Sequence, residues 1–103
     1  NCIVKLVPSR GATIKMQTVF GNISSVTDFF MTSYGLVGTE TTINSFNVWK
    51  AGIPICCRAR QAMQYATNLD DFRAVLENGN GGDYANSWLL GDLKTNEITV
   101  KKL

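Results

Sequence analysis

The stretch YANSWLLGDLKTNEI, residues Tyr84–Ile98, decides the fold of this chain. Its first half alternates between two faces, as a half-buried β-strand does. One face carries an aromatic ring, an amide, an indole and an aliphatic side chain, namely Tyr84, Asn86, Trp88 and Leu90. A polar turn follows at Leu93–Asn96. The chain then returns as the strand Glu97–Lys102, and its alternation predicts that Ile98 and Val100 point inward.

Four more strands are predicted upstream of this hairpin. They are Cys2–Val7, Ala12–Phe20, Asp28–Ser33 and Leu36–Ile43. The first two are predicted to pair as a hairpin, with Ile14, Met16 and Phe20 on one face of the second strand. The last two are joined at Tyr34-Gly35, where glycine permits the positive φ of a tight turn.

A helix is predicted after a loop at Asn44–Ile53, which holds the aromatic pair Phe46 and Trp49. Pro54 is predicted as its first helical residue. Apolar residues then recur at helical spacing, namely Ile55, Ala59, Ala62, Met63 and Ala66. Arg58 falls on another face of the helix, so it is expected either on a solvated surface or, with Arg60, at an anion.

A second, shorter helix is predicted next. Thr67 or Asn68 serves as its N-cap, and the acidic pair Asp70-Asp71 suits its first turn. Its apolar stripe consists of Leu69, Phe72, Val75 and Leu76. Asn78-Gly79 ends it. The resulting order, β-β-β-β-α-α-β-β, predicts an α+β fold whose helices cover one face of an antiparallel sheet.

Composition narrows the possible functions of the chain. Its 103 residues form one domain, are 45% hydrophobic and 17% charged, and carry a net charge of +2. This small charge, with no basic stripe, argues against a nucleic-acid partner. No apolar run is long enough to span a membrane. The absence of histidine and of a C-x-x-C pair argues against a zinc site, and no cofactor motif is present. A chain that opens at Asn1 is expected to be a processed or excised piece.

Five polar positions are candidate functional residues. Cys2 is either a buried strand residue or, if Asn1 is removed, an N-terminal nucleophile. Cys56 and Cys57 are expected to be small buried apolar side chains. The amide of Asn86 either bonds to nearby backbone or lines a pocket. Asn22-Ile23-Ser24 is a sequon for N-glycosylation, meaningful only in a secretory pathway.

Several motifs, in their order and spacing, resemble the phospholipase B-like family over nearly the whole chain. They are Asp28-Phe29-Phe30, Tyr34-Gly35-Leu36-Val37, Glu40-Thr41-Thr42-Ile43, Arg58-Ala59-Arg60, Met63-Gln64-Tyr65 and Tyr84–Lys94. That family is grouped with N-terminal-nucleophile hydrolases. The resemblance therefore implies an αββα sandwich and autoproteolysis that exposes a cysteine, which attacks an amide or ester carbonyl with its own amine as base. It also implies hydrogen-bond donors that stabilise the oxyanion.

Little of that machinery matches positions in this chain. By resemblance, the nucleophile and its following histidine motif lie upstream of Asn1, and the oxyanion amide lies beyond Leu103. Thr42 matches a position that lines the active site and offers its backbone N–H to the oxyanion. Asn86 matches a motif position whose role the resemblance does not define.

We therefore expect residues 1–103 to be one partial domain of a phospholipase B-like acyl hydrolase, with the remaining chain as partner and an acyl-linked substrate, such as a lipid. The resemblance implies a secreted or lysosomal location. The missing nucleophile predicts that the chain alone is inactive. The alternative is a non-catalytic structural or interaction module derived from the same fold.

Overall fold

A computed structural model of the protein describes residues 1–25, 29–44 and 48–103. Its strands are β1 (Cys2–Leu6), β2 (Ile14–Thr18), β3 (Phe29–Thr32), β4 (Leu36–Thr42), β5 (Asn86–Asp92) and β6 (Glu97–Lys102). Its helices are α1 (Ile55–Tyr65) and α2 (Leu69–Glu77). The predicted element order and the α+β class are confirmed. Asp28, the predicted start of the third strand, and Phe46 lie outside the described residues.

The strands form one sheet in the order β1-β2-β3-β4-β5-β6, with every neighbouring pair antiparallel. The longest register joins β4 to β5 and runs from Leu36 opposite Asp92 to Thr42 opposite Asn86. Both helices are inserted between these two paired strands in the sequence. The hairpin at the end of the chain therefore docks beside β4, and residues far apart in the sequence meet at the Thr42 end.

Local sequence explains the turns and helix ends. Gly35 has φ 81°, the left-handed conformation predicted for the turn between β3 and β4. Pro54 is the residue before α1 rather than its first residue. The side chain of Asn68 accepts a hydrogen bond from Asp71 N at 2.8 Å, so Asn68 is the N-cap of α2.

The helices pack on one face of the sheet and bury it. Phe30 and Phe72 stack with their ring centroids 5.2 Å apart, and the Trp88 indole tilts against both rings. The predicted helix stripes supply the facing core residues, namely Ala59, Ala62, Met63, Leu69, Phe72 and Leu76. The covered face of the sheet is thus the main hydrophobic core of the described residues.

The prediction that Ile98 and Val100 point inward is wrong. Ile98 lies opposite Gly91 and Val100 opposite Leu89, on the sheet face that the helices leave open. Their side chains are 77% and 57% exposed. The inward positions of β6 are taken by polar residues, because Thr99 and Lys101 pair with Leu90 and Trp88.

The predicted face of the second strand is also wrong at its end. Phe20 is 92% exposed, because β2 ends at Thr18 and the chain turns there. Thr18 fills the last buried position of the strand, and its hydroxyl donates to the Ser24 carbonyl at 2.9 Å.

Arg58 was expected on a solvated helix face or at an anion, and it is instead completely buried. Its guanidinium donates to the carbonyls of Ile53 and Leu76 and to Asn80 Oδ1. It also forms an ion pair with Asp83 at 2.9 Å. The side chain therefore ties the start of α1 to the end of α2 and to the loop before β5. Arg60, by contrast, is only partly buried.

Candidate functional site

A cleft of about 200 Å³ lies on the covered face of the sheet, under the start of α1. Its apolar lining comes from the core, namely Phe30, Ile55, Ala59 and Met63. Its polar lining comes mainly from the ends of strands and the loop after β2, namely Ser24, Ser25, Glu40, Tyr84 and Asn86. Trp88 and Cys56 complete it. The cleft therefore combines apolar walls with a few converging polar groups, which is the usual make-up of a ligand pocket.

Thr42 lies at the rim of this cleft in a chain of hydrogen bonds. Its hydroxyl is bonded to the Tyr84 hydroxyl, which donates to Glu40 Oε1 at 3.2 Å. A phenol has one proton and an ionised carboxylate only accepts. In the bond to Glu40, the Tyr84 hydroxyl is the donor, and the Thr42 hydroxyl is held inside the protein by its bond to Tyr84. The backbone N–H of Thr42 is a further donor at this point of the strand.

The backbone N–H of Thr42 points away from β5. Ile43 N donates to the Ala85 carbonyl at 2.9 Å, and successive N–H groups of a strand point in opposite directions. The N–H of Thr42 is thus directed towards the β3 side of the strand. The described pairing of β3 with β4 ends three residues earlier, where Phe29 lies opposite Thr39.

Asn86, the other predicted site residue, sits directly opposite Thr42 in the β4–β5 register. Its side chain is completely buried and lines the cleft. Neither Nδ2 nor Oδ1 has a hydrogen-bond partner in the part of the chain that the structure describes, and the same holds for Nε1 of Trp88. Each such buried atom costs about 1–3 kcal/mol if it stays unpaired. Because a whole domain is stable by only about 5–15 kcal/mol, three unpaired atoms in one cleft point to a missing partner.

Cys2 is at the same end of the sheet but on the edge strand β1. Its Sγ donates to the Thr18 carbonyl at 3.5 Å. Three strand spacings of about 4.8 Å place it about 14 Å from β4. A nucleophile must come within about 3–3.5 Å of its carbonyl. Cys2 is therefore too far from Thr42 to act on a carbonyl held there, and it does not line the cleft.

Cys56 and Cys57 were expected to be buried, and both are exposed. They occupy the first turn of α1, and their sulfur atoms are 4.0 Å apart. The side-chain hydrogen bond and the charge of Cys56 raise the pKa of the Cys57 thiol above its ordinary value of 9.0. Cys56 also lines the cleft.

Sequence reasoning found two members of this site and missed the rest. It singled out Thr42 and Asn86 but not Glu40, Tyr84 or Cys56 as their neighbours. The alternation along β4 could have identified Glu40, because Glu40 and Thr42 fall on one face of that strand. The residues that precede and begin β5 join the site only through the pairing of β4 with β5, which connects residues more than 40 positions apart in the sequence.

Three further predictions concern modification, metals and membranes. The Asn22 side chain is exposed just after β2, where a glycan has room. Across residues 1–25, 29–44 and 48–103, no group of three or more potential ligands among His, Cys, Asp and Glu side chains is arranged to hold a metal ion. Within the same ranges, neither helix has the length and apolar character needed to cross a bilayer.

Comparison with known proteins gives two partial similarities, while no protein-family model matches the chain. The chain is 36% identical over 80 residues to phospholipase B-like protein G of Dictyostelium discoideum. It is 35% identical over 81 residues to putative phospholipase B-like 2 of Bos taurus. Each match covers 72% of this chain but only 13% and 14% of the two relatives, so the chain spans a small part of their length. These similarities support a relationship of this chain to the phospholipase B-like family.

Proposed function

We propose that this chain forms part of a phospholipase B-like acyl hydrolase that cleaves an amide or ester bond. The cysteine nucleophile belongs to a part of the protein outside these 103 residues. Thr42 and Asn86 lie on the substrate side of the site. The remainder of the protein is the partner of this chain, and the substrate is acyl-linked, with a lipid as the leading class.

The observation that carries this proposal is the polar cluster at the paired ends of β4 and β5. There, Thr42, Tyr84 and Glu40 are connected by hydrogen bonds beside the buried amide of Asn86. Glu40, Tyr84 and Asn86 line the cleft, and Thr42 adjoins it through its bond to Tyr84. Functional groups commonly collect in such places.

In the proposed reaction, the cysteine thiolate attacks the acyl carbonyl and the carbonyl oxygen becomes an oxyanion. The leaving alcohol or amine takes up a proton, and water then attacks the thioester to release the acid and the thiol. A backbone N–H directed at the oxyanion stabilises the charge in the transition state. The Tyr84–Thr42 hydrogen bond fixes the end of β4, and thereby the direction of the Thr42 N–H.

The test is acyl hydrolysis by the native protein that contains this chain, with variants at Thr42. Thr42→Pro removes the backbone N–H, and we expect the hydrolysis rate to fall by about 100-fold or more. Thr42→Val keeps the N–H and nearly the same shape, so its rate should stay within about tenfold of the parent. Circular dichroism and thermal unfolding establish that both variants are folded.

Two outcomes contradict the proposal. One is measurable hydrolysis by the purified 103-residue chain, because the proposal places the nucleophilic cysteine outside it. The other is a folded Thr42→Pro protein that hydrolyses at the parental rate. Thr41→Val is the matched control, because Thr41 precedes Thr42 and points to the opposite face of β4.

A second candidate function is favoured by the open face of the sheet. Ile3, Ile98 and Val100 are each more than half exposed there, and Phe29 and Leu89 nearly so. We propose that this face packs against the rest of the protein, as the second sheet of an αββα sandwich does. A non-catalytic structural module would use the same face. Intact mass and chain content of the native material separate the two, because only the enzyme requires a companion chain that begins with cysteine.

A secreted or lysosomal location is also part of this proposal. It is supported by the exposed position of Asn22 in its sequon. Enzymatic removal of N-glycans from the native protein is expected to lower its mass, and in Asn22→Gln this shift is expected to be smaller by one glycan. A native protein without a glycan at Asn22 speaks against this location.

A further inference from the structure

We propose that the cleft under α1 recognises a carboxamide group, and that Asn86 and Trp88 thereby select amide-linked over ester-linked acyl compounds. This inference builds on the proposed function by naming the group that is bound at the same site. It concerns binding alone, so it is testable whether or not hydrolysis is observed.

The side chains of Asn86 and Trp88 carry hydrogen-bonding groups that have no partner among the described residues. Asn86 offers one donor, Nδ2, and one acceptor, Oδ1, side by side, and Trp88 adds the donor Nε1. Both residues lie on the same face of β5, two positions apart, and both line the cleft. Asn86 is completely buried, and Trp88 is 4% exposed. A ligand in the cleft is therefore the natural partner for all three atoms, since buried polar groups of proteins are nearly always paired.

The chemistry of that partner follows from the arrangement. The N–H of an amide ligand donates to Oδ1 of Asn86, which an apolar or ester group cannot do. In a trans secondary amide the carbonyl oxygen points the opposite way from the N–H, so it accepts from Nε1 of Trp88, and Nδ2 of Asn86 is left to a second acceptor of the ligand or to water. An ester has the carbonyl but no N–H, so Oδ1 of Asn86 stays buried without a donor. A site built to hydrogen-bond an N–H discriminates strongly against an analogue that lacks it.

The size of the cleft and its apolar walls determine how large and how apolar the ligand can be beyond its amide group. About 200 Å³ corresponds to about seven water molecules at about 30 Å³ each. This is below the roughly 300–1,000 Å³ of pockets that enclose a drug-sized ligand. Phe30, Ala59 and Met63 make the wall beside the amide apolar. The cleft therefore accommodates one amide with a short alkyl arm, and a longer acyl chain has to leave through its open side.

The probes are N-butylacetamide and butyl acetate, which share carbon skeleton and size and differ only in N–H against O. Their dissociation constants are measured by ligand-observed NMR on the native protein that contains this chain. We expect the amide to bind at least about tenfold more tightly, equivalent to about 1.4 kcal/mol. The same spectra show any butanol or butylamine released, so binding and hydrolysis are read separately. Equal affinities, or no binding of the amide, overturn the proposal.

Two variants show whether the named atoms are responsible. Asn86→Leu replaces the amide with an apolar side chain of similar size, and the amide preference should disappear. Because the amide is unpaired within residues 1–25, 29–44 and 48–103, this variant should melt at the parental temperature or above it. Trp88→Phe removes the indole N–H together with part of a ring that packs against Phe30 and Phe72, so its melting temperature is measured beside its binding. The folded variant should bind both probes more weakly. Trp49→Phe, at a tryptophan that is 74% exposed, is the control and should change neither.

The melting temperature also excludes the simplest structural explanation. If Asn86→Leu unfolds the protein or lowers its melting temperature by several degrees, the amide is needed by the fold rather than by a ligand, and the proposal fails. The proposal likewise fails if Asn86→Leu keeps the amide preference. If the amide binds as proposed and no hydrolysis occurs, the recognition site stands and the proposed enzymatic function does not.

Discussion

The two faces of the sheet differ more than any other two regions of this molecule. Neighbouring residues of one strand make the difference plain. On β3, Phe30 is completely buried while Phe29 is 45% exposed, and on β5, Leu90 is 1% exposed while Leu89 is 48% exposed. Helices α1 and α2 cover the first face, and no described element covers the second.

Part of the open face is nevertheless apolar, which is unusual for a sheet that faces water on one side. Such a sheet normally alternates apolar-in with polar-out residues. Here the pairs between β5 and β6 include Val100 opposite Leu89 and Ile98 opposite Gly91, whereas Lys5 lies opposite Lys15 at the β1–β2 edge. Large exposed apolar patches mark interaction surfaces. One face of the sheet therefore completes the fold of this chain, and the other is suited to contact with a partner.

The largest expected effect comes from truncating one phenylalanine on each face. Phe30→Ala removes a ring that stacks on Phe72 in the core, and we expect a loss of about 3–5 kcal/mol in the free energy of unfolding. Phe29→Ala removes a half-exposed ring from the open face and should cost less than about 1 kcal/mol. Urea unfolding of the two variants measures both values. Similar losses would show that the open face already supports the fold of this chain.

The second prediction weakens the attachment of the covering helices. Arg58→Met removes the buried guanidinium, leaving the carbonyls of Ile53 and Leu76 without their donor and Asp83 without its ion pair. We expect a loss of about 3 kcal/mol in the free energy of unfolding, because removing one member of a buried pair leaves the other polar groups buried without partners.

Arg60→Met is the matched control for this prediction. Among the described residues, its guanidinium makes two hydrogen bonds, to Gln64 at 3.3 Å and to the Ile23 carbonyl at 3.2 Å. A partly exposed arginine of this kind contributes less than about 1 kcal/mol. Equal losses in the two variants would mean that burial of Arg58 does not hold the helical layer.

The sequence predicted the covered face well and the open face poorly, for a physical reason. Alternation and helical spacing report which residues are apolar, and they located Trp88, Leu90 and the stripes of both helices in the core. Alternation does not report which of two apolar faces the helices cover. Ile98 and Val100 were therefore assigned inward, although their register with Gly91 and Leu89 turns them to the open side.

Arg58 and the site show the second limit of sequence reasoning. The partners of Arg58 lie 5 to 25 residues away in the sequence, and no local sequence pattern predicts that they converge on its guanidinium. Thr42 and Asn86 were both singled out, but their direct pairing depends on how the last hairpin docks beside β4. The oxyanion role of Thr42 stays a prediction that the Thr42→Pro experiment addresses.

A third, smaller effect tests the open face directly. Val100→Lys places a charge on that face, where the side chain it replaces is 57% exposed. In the isolated chain we expect a change in unfolding free energy of less than about 0.5 kcal/mol. In the native protein, the same charge is expected to lower the free energy of unfolding by several times more if a partner buries the face. Thermal unfolding of both proteins provides the comparison, and equal small effects in the two would argue that the face stays open to solvent.

The smallest expected effect is in the first turn of α1 and leaves stability unchanged. Cys56 raises the pKa of the Cys57 thiol by its side-chain hydrogen bond and its charge, so less of Cys57 is thiolate at a given pH. Because the thiolate is the reactive form, Cys56→Ala should speed the alkylation of Cys57 by iodoacetamide at pH 8, by a few-fold. The gain should shrink as the pH rises through the pKa of the thiol in the parent, since both proteins then approach full ionisation. Peptide mass spectrometry follows Cys57 separately from Cys2, which serves as the internal control because it lies on β1, away from the substitution. An unchanged rate at Cys57 would show that the two sulfur atoms do not interact in solution, and that α1 positions its first turn differently on the covered face.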